Sequence, residues 1–444
     1  MNEPQRSARR WLAAPRGSSL YLGLVGIFIV GCIVEPAFIG LDNQRDVLQR
    51  VSINGILAVG MTLVILTAGI DLSVGSMLSL CSVLCAMMVM GRQWNKASLV
   101  AVSCAALGGL YGGARLARWL WGGRLASRWS RAGIAAAGGL VAGGLLAAWG
   151  GWRVPRGFGV LSVLVFVPAV GGLLGSASGL IIAKGRLQPF IVTLAMMISA
   201  VGLAKYIAGK GGQIHAIYVL SAEEQSDKAG LQTLRQQLRA EGKDYASESF
   251  AALGRSIVTV QRFNRRLNRH QPVSLIPIPG LIFVGCVVAA HFVLAKLPFG
   301  RYIYAVGGNE QTARLSGINI DGVKVRVYAI SGVMAGLAAV LYCAMYGQGK
   351  PDAGQMGELD AIASVVIGGT SLMGGRGRIA GTLVGVLIFG YLSNILVLKG
   401  IPSEVQDITK GAIILAAVLL QEGRIVHWAR RAIRRMKTGK ETDA

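Results

Sequence analysis

Residues 51–90 read VSINGILAVGMTLVILTAGIDLSVGSMLSLCSVLCAMMVM. The stretch is apolar almost throughout, and one carboxylate, Asp71, lies near its middle. A single helix of this length would run about 60 Å, twice the ~30 Å apolar thickness of a bilayer. The chain must therefore turn inside the stretch, and Gly69 is the natural pivot. Asp71 and Ser73 are then placed to cap the next helix, each side-chain oxygen accepting from an exposed amide. A polar break at membrane depth is tolerated where it lines a water-filled cavity, so the same residues are candidates for a substrate path.

The pattern recurs along all 444 residues, of which 53% are hydrophobic and 15% charged. Apolar runs fall at 19–39, 51–69, 72–91, 97–113, 133–151, 158–183, 188–208, 277–297, 325–347, 358–373, 379–398 and 404–421. This predicts an all-α polytopic transmembrane bundle of about 12 spans. The 62 glycines suit helices that approach closely in a membrane. Run 358–373 is short and Gly-rich, so a re-entrant loop is the alternative to a crossing there. The six cysteines lie in apolar runs without metal-ligand or disulfide spacing and are expected to serve packing. Four arginines precede the first run, as in a signal peptide. The run continues past Cys32 to Ile39, which predicts an uncleaved first span.

A net charge of +24 could suggest nucleic acid, but orientation in a membrane is the better reading. With the N-terminus inside, 25 of the Lys and Arg residues fall in cytoplasmic segments and 8 in the short outer loops. Both termini are then cytoplasmic. Segment 209–276 lies outside with ten further cations, and its length largely exempts it from the charge rule. Ser221-Ala222-Glu223-Glu224 fits a capping box. Phe250, Leu253, Ile257, Val260, Phe263 and Leu267 recur at helical spacing, so two amphipathic helices are expected here.

VSINGILAVGMTLVILTAGIDLSVGSMLSL closely resembles the permease subunits of bacterial ribose/xylose-type ABC importers. GRLQPFIVTLAMM, GRYIYAVGGNEQTARLSGINIDGVKV and ELDAIASVVIGGTSLMGGRGRIAGTLVGVL match that family in the same order. The resemblance implies a ten-span core in the bacterial cytoplasmic (inner) membrane, with two permease copies, identical or paralogous, making the pore. It also implies a P-loop ATPase and an extracytoplasmic sugar-binding protein as partners, besides the lipid bilayer. Two segments depart from the pattern: 95–156 reads as an inserted two-span hairpin with an Arg-rich tip at 115–131, and 209–276 is longer than in relatives. The organisation read from this is a tail at 1–18, core spans at 19–94, the hairpin at 95–156 and further core at 157–208. The outer insertion at 209–276, a last core at 277–421 with a cytoplasmic loop at 298–324, and a basic tail at 422–444 complete it.

No GxxxxGK[ST] phosphate loop occurs, so ATP and Mg²⁺ are expected on the partner ATPase and no cofactor on this chain. Loop 298–324 is the expected contact with that ATPase. Asn309 can cap a short helix through Glu310, Gln311, Thr312, Ala313, Arg314 and Leu315, which Gly317 ends. Relatives carry Glu-Ala-Ala, three residues and Gly; here Gln311 and Thr312 replace the glutamate and one alanine. Polar candidates for the substrate path are Asn54, Thr62, Thr67, Asp71, Ser73, Ser76 and Asn394. Lys205 and Lys410 are expected to snorkel near outer span ends, and Glu358 and Asp360 suit a helix N-terminus. An ion-coupled secondary transporter is the rival reading; it predicts inverted repeats and buried charge relays. No constellation of catalytic groups points to an enzyme.

Overall fold

A computed structural model describes residues 18–90, 128–153, 158–209, 248–264 and 269–421, with 99, 100, 102, 103, 106–109, 111–113, 212, 214–217, 233 and 236. The N-terminal tail, the arginines at 115–124, the expected capping box at Ser221 and the basic tail past 421 lie outside the described residues.

The chain folds as a helical bundle. Its first helices are α1 (Ser18–Val34), α2 (Leu41–Leu66), α3 (Val74–Met90), α4 (Arg128–Arg153), α5 (Val160–Gly185) and α6 (Pro189–Ala208). Strand β1 (His215–Ala216), helix α7 (Glu248–Ala252) and strands β2 (Ser256–Asn264) and β3 (Arg269–Pro277) follow. Then come α8 (Ile278–Lys296), α9 (Pro298–Gly308), α10 (Glu310–Leu315), α11 (Ile320–Tyr346), β4 (Gln348–Gly349), α12 (Gly357–Ile367), α13 (Ile379–Leu398) and α14 (Ser403–Gln421). The described residues between 99 and 113 are helical too. Among the described residues six helices, α2, α5, α6, α8, α11 and α13, are long and apolar enough to span a bilayer; Leu20–Val34 and α3 are shorter apolar helices.

A helix apolar on every side belongs in the interior, and α2 is the hub. From Val51 to Leu66 all its residues are buried except Asn54, which is half-buried. By contrast α6 and α8 expose Tyr206, Val288 and Phe292, as expected of faces turned to acyl chains. Helices α5 and α11 meet through glycine. A side chain at Gly171 would collide with the Gly332 carbonyl, and one at Gly175 with that of Tyr328. Backbones this close gain dispersion contacts that larger residues would forfeit.

Small residues also build the hairpin. Gly109 and Gly113 face the backbones of Ala142 and Gly138 on α4, and Gly150 faces Val102. Trp149 stacks on Phe166 of α5 at a centroid distance of 4.9 Å, fastening the hairpin to the core.

Helix α12 has only 11 residues, about 16 Å or half a membrane. The chain before it is not helical: β4 pairs with β1, and residues 350–356 run as turns along α3. Those turns are held by Ser82 Oγ, which donates to the Lys350 carbonyl at 3.0 Å, and by Ser79 Oγ, which accepts from the Gly354 amide at 2.9 Å. Past α12, Gly375 reaches the C-terminal end of α2. The segment thus traverses the bundle as a broken span: turns, then a half-helix.

The outer segment corrects one expectation. Residues 256–264 are not an amphipathic helix but strand β2, antiparallel to β3 with Val260 opposite Val273 and Asn264 opposite Arg269. Ile257-Val258-Thr259-Val260 is rich in β-branched residues, which favour strands; the apolar spacing of ~3.6 was coincident with that run. Residues Glu248–Ala252, just before the strand, form a short helix. Phe250 is buried in the core, Gly254 packs on the Ala344 carbonyl, and Gln49 Nε2 donates to the Gly254 carbonyl at 2.8 Å. This part of the insertion therefore rests on the ends of α2 and α11.

Candidate translocation and coupling site

The short helix α10 forms as its residues dictate. Asn309 Oδ1 accepts from the Thr312 amide at 2.9 Å, satisfying a free donor at the helix start. At the other end the Ile318 amide donates to the Ala313 carbonyl at 3.1 Å, with Gly317 at φ +78°, a left-handed closure that glycine adopts without strain. Ala313 is the buried anchor, while Gln311, Thr312, Arg314 and Leu315 are exposed, Leu315 at 90%. Glu310 pairs with Lys324 at 2.8 Å and with Arg314 at 3.6 Å, tying α10 to the first turn of α11. These exposed pairs are worth at most about 1 kcal/mol, so the caps and Ala313 hold the helix.

Behind α10 lies a glycine junction. A side chain at Gly307, near the end of α9, would collide with the Leu66 carbonyl and with the Gly375 amide. The Gly375 amide donates to that Leu66 carbonyl at 3.0 Å. Tyr304 of α9 donates to the Gly377 carbonyl at 2.9 Å. Burial pushes the Tyr304 hydroxyl above the usual tyrosine range, against an opposing pull from Arg378, so it stays a donor at neutral pH. The end of α9, the end of α2 and the loop after α12 are therefore one packed unit.

Asp71 sits in the turn between α2 and α3 and is fully buried. Its Oδ1 accepts from the Ser73 amide at 3.0 Å and the Ser73 hydroxyl at 2.6 Å. Its Oδ2 accepts from Ser331 Oγ on α11 at 2.9 Å. One expectation is corrected: Ser73 donates its hydroxyl to Asp71 instead of accepting an amide. The chain turns between Leu66 and Val74 around Gly69, and the left-handed residue of the turn is Ala68, φ 59°. Gly69 is needed for space: a side chain there would lie 2.6 Å from the Tyr328 hydroxyl.

The remaining path candidates separate. Thr67 donates to the Val64 carbonyl at 2.8 Å and borders a cavity of about 240 Å³ between the turn and α10. Thr62 is buried, bonded to the Ala58 carbonyl at 2.7 Å and to Thr382 at 2.8 Å. Asn54 donates to Asp360 at 3.2 Å, and Asn394 exchanges amide hydrogen bonds with Asn43 at 3.0 and 2.9 Å. Asn54 and Asn394 line one cavity of about 90 Å³. Ser76 lines another, of about 430 Å³, where the broken span passes α3 and α6.

A family model described as "Branched-chain amino acid transport system / permease component" matches residues 44–418. The chain is 34% identical to the ribose import permease protein of Escherichia coli K12 over 412 residues, 93% of this chain and 94% of that protein. It is 34% identical to the Bacillus subtilis 168 ribose import permease protein over 400 residues, 90% of this chain and 91% of that one. To the xylose transport system permease protein of E. coli K12 it is 33% identical over 385 residues, 86% of each chain. The chain belongs to the ribose/xylose-type ABC permease family. It is a multi-pass membrane protein and a transport subunit, not an enzyme. No solved structure matches it.

In this permease the family-like motifs converge on the glycine junction: Leu66 and Ala68 come from the first, Gly307 from the third and Gly375 from the fourth. Two features escaped the reading of the sequence. Ser331 as the partner of Asp71 is 260 residues away and has no local signal. Lys410 does not simply snorkel; it lies 3.8 Å from Asp360 and 3.5 Å from Asp407, joining α14 to the half-helix.

Proposed function

We propose that this chain forms the membrane pathway of an importer for a ribose- or xylose-like monosaccharide. A separate P-loop ATPase, holding ATP and Mg²⁺, drives it, and an extracytoplasmic binding protein delivers the sugar. Two permease copies make the pathway, in the cytoplasmic (inner) membrane, each with a ten-span core, the two-span hairpin and both termini cytoplasmic. The binding protein docks on the face that includes segment 209–276.

The observation that carries this reading is the capped helix α10 on its glycine junction. Its exposed apolar tip, Leu315, suits a groove on a partner, the helix-in-groove mode. Force applied there passes through Gly307 to the end of α2 and the loop after α12, where two spans break. Deleting 309–317 tests it: the permease is expected to insert normally while ATP-driven uptake is lost. Uptake retained in the deletion contradicts the reading.

A further inference from the structure

A cavity of about 430 Å³ opens beside the broken span. It lies where the backbone abandons the helix, between α3, α6 and residues 351–358. Non-helical backbone at membrane depth persists only where protein covers it or water reaches it. Here part of it is covered, through Ser79 and Ser82, and part is open: Gln355 and Met356 are exposed. The volume falls in the ~300–1,000 Å³ range of small-molecule sites.

The walls differ in chemistry. One presents Ser76, Asp352, Gln355 and the carboxylate of Glu358; the other presents Met197, Ile198 and Val201 of α6, with Lys205 at its edge. Glu358 opens the half-helix α12, its Oε2 against Gly75, and it hydrogen-bonds to no other side chain among the described residues. Its position is fixed by contact: a side chain at Gly75 would collide with both Glu358 and the Gly354 carbonyl. Its carboxylate accepts from its own backbone amide, which leaves further acceptor capacity open, and a half-buried carboxylate gains when another polar group meets it. Adjacent hydroxyls of a sugar ring are suitable donors, and charge-assisted bonds to a carboxylate are the strong ones. The C–H face of the same ring suits the methionine and aliphatic wall.

Resting on the importer reading above, we propose that this cavity is a transient sugar subsite of the permease. Glu358 and Gln355 bond ring hydroxyls, and Met197 and Val201 of α6 cover the ring's apolar face. The half-helix makes the site mobile with the coupling loop, since α12 leads directly into the loop that carries Gly375.

The test uses the whole transporter, permease, ATPase and binding protein, in proteoliposomes with labelled ribose and xylose. Glu358→Gln is expected to slow uptake about tenfold, the measure of one lost bond to a charged group, with ATP hydrolysis little changed and Glu358→Asp partly restoring uptake. A second variant guards against misfolding. Gln355→Cys, in a background without native cysteines, should react with a small maleimide, and millimolar ribose or xylose should slow that reaction while leucine does not. Wild-type transport with undiminished Glu358→Gln uptake and no sugar protection of the cysteine overturns the subsite alone. Wild-type protein that moves no pentose overturns the importer reading, and the subsite with it.

Discussion

The Gly375 amide donates to the Leu66 carbonyl at 3.0 Å, and Gly307 is pressed against both groups. Three segments far apart in the chain thereby share one backbone contact. Nothing bulkier than hydrogen fits at Gly307, so movement of α9 must move the end of α2 or the loop past α12.

Gly307→Val is the direct test of that junction. Overpacking a fixed backbone contact costs about 1–3 kcal/mol, and here it also separates α9 from Leu66. Expected is a permease that inserts and binds the ATPase but transports at least about tenfold more slowly, the factor that ~1.4 kcal/mol represents. Wild-type uptake in purified Gly307→Val protein would show that the contact is not needed.

Gly317→Pro should act on α10 itself. Gly317 holds φ +78° and its amide donates to the Arg314 carbonyl. Proline fixes φ near −65° and lacks that donor. The C-terminal closure is lost, and uptake should fall with insertion unchanged. Gly317→Asn, which tolerates the left-handed region better than most residues, should retain most of the activity.

Asp71→Ala should weaken the fold more than Ser331→Ala does. Removing the carboxylate orphans the Ser73 amide and two hydroxyls, each buried unpaired group costing about 1–3 kcal/mol. Ser331→Ala removes one donor and leaves Asp71 its two contacts with Ser73. Thermal unfolding in detergent checks the order; an Asp71→Ala midpoint equal to wild type would contradict it.

Orientation has its own test. Leu315→Cys on α10 should resist an impermeant maleimide added to intact cells and react in inside-out vesicles. Ile214→Cys, 61% exposed beside β1, should behave oppositely. Ser127→Cys at the hairpin tip should follow Leu315→Cys, because Arg115–Arg131 carries five arginines and no acid. Labelling of Leu315→Cys from outside would invert the proposed topology.

Local signals were legible in the sequence. Asn309, the helix to Leu315 and Gly317 follow from capping chemistry that spans nine residues, and each appears as expected. Hydropathy located the apolar helices, because burial in lipid demands composition alone. The short, Gly-rich character of 358–373 marked it as irregular, but the extent of the half-helix and the turns before it were not legible, since turns and helix at that depth can be equally apolar. Phe250 to Phe263 misled because helical spacing and a β-branched run overlap, and pairing with 269–277 decided between them. The candidate polar residues were recognisable one by one. Their partners were not: Thr62 with Thr382, Asn54 with Asp360 and Asp71 with Ser331 are all set by tertiary packing.

One measurement tests the central claim most directly. Purified permease is reconstituted in proteoliposomes with its ATPase and binding protein, and labelled ribose and xylose uptake is followed with and without ATP. The account predicts accumulation that requires ATP, the ATPase and residues 309–317, and that ignores imposed proton or sodium gradients. Accumulation by the permease alone, driven by such a gradient, would contradict it and would point to the half-buried Asp360–Lys410 pair as part of an ion-coupled carrier.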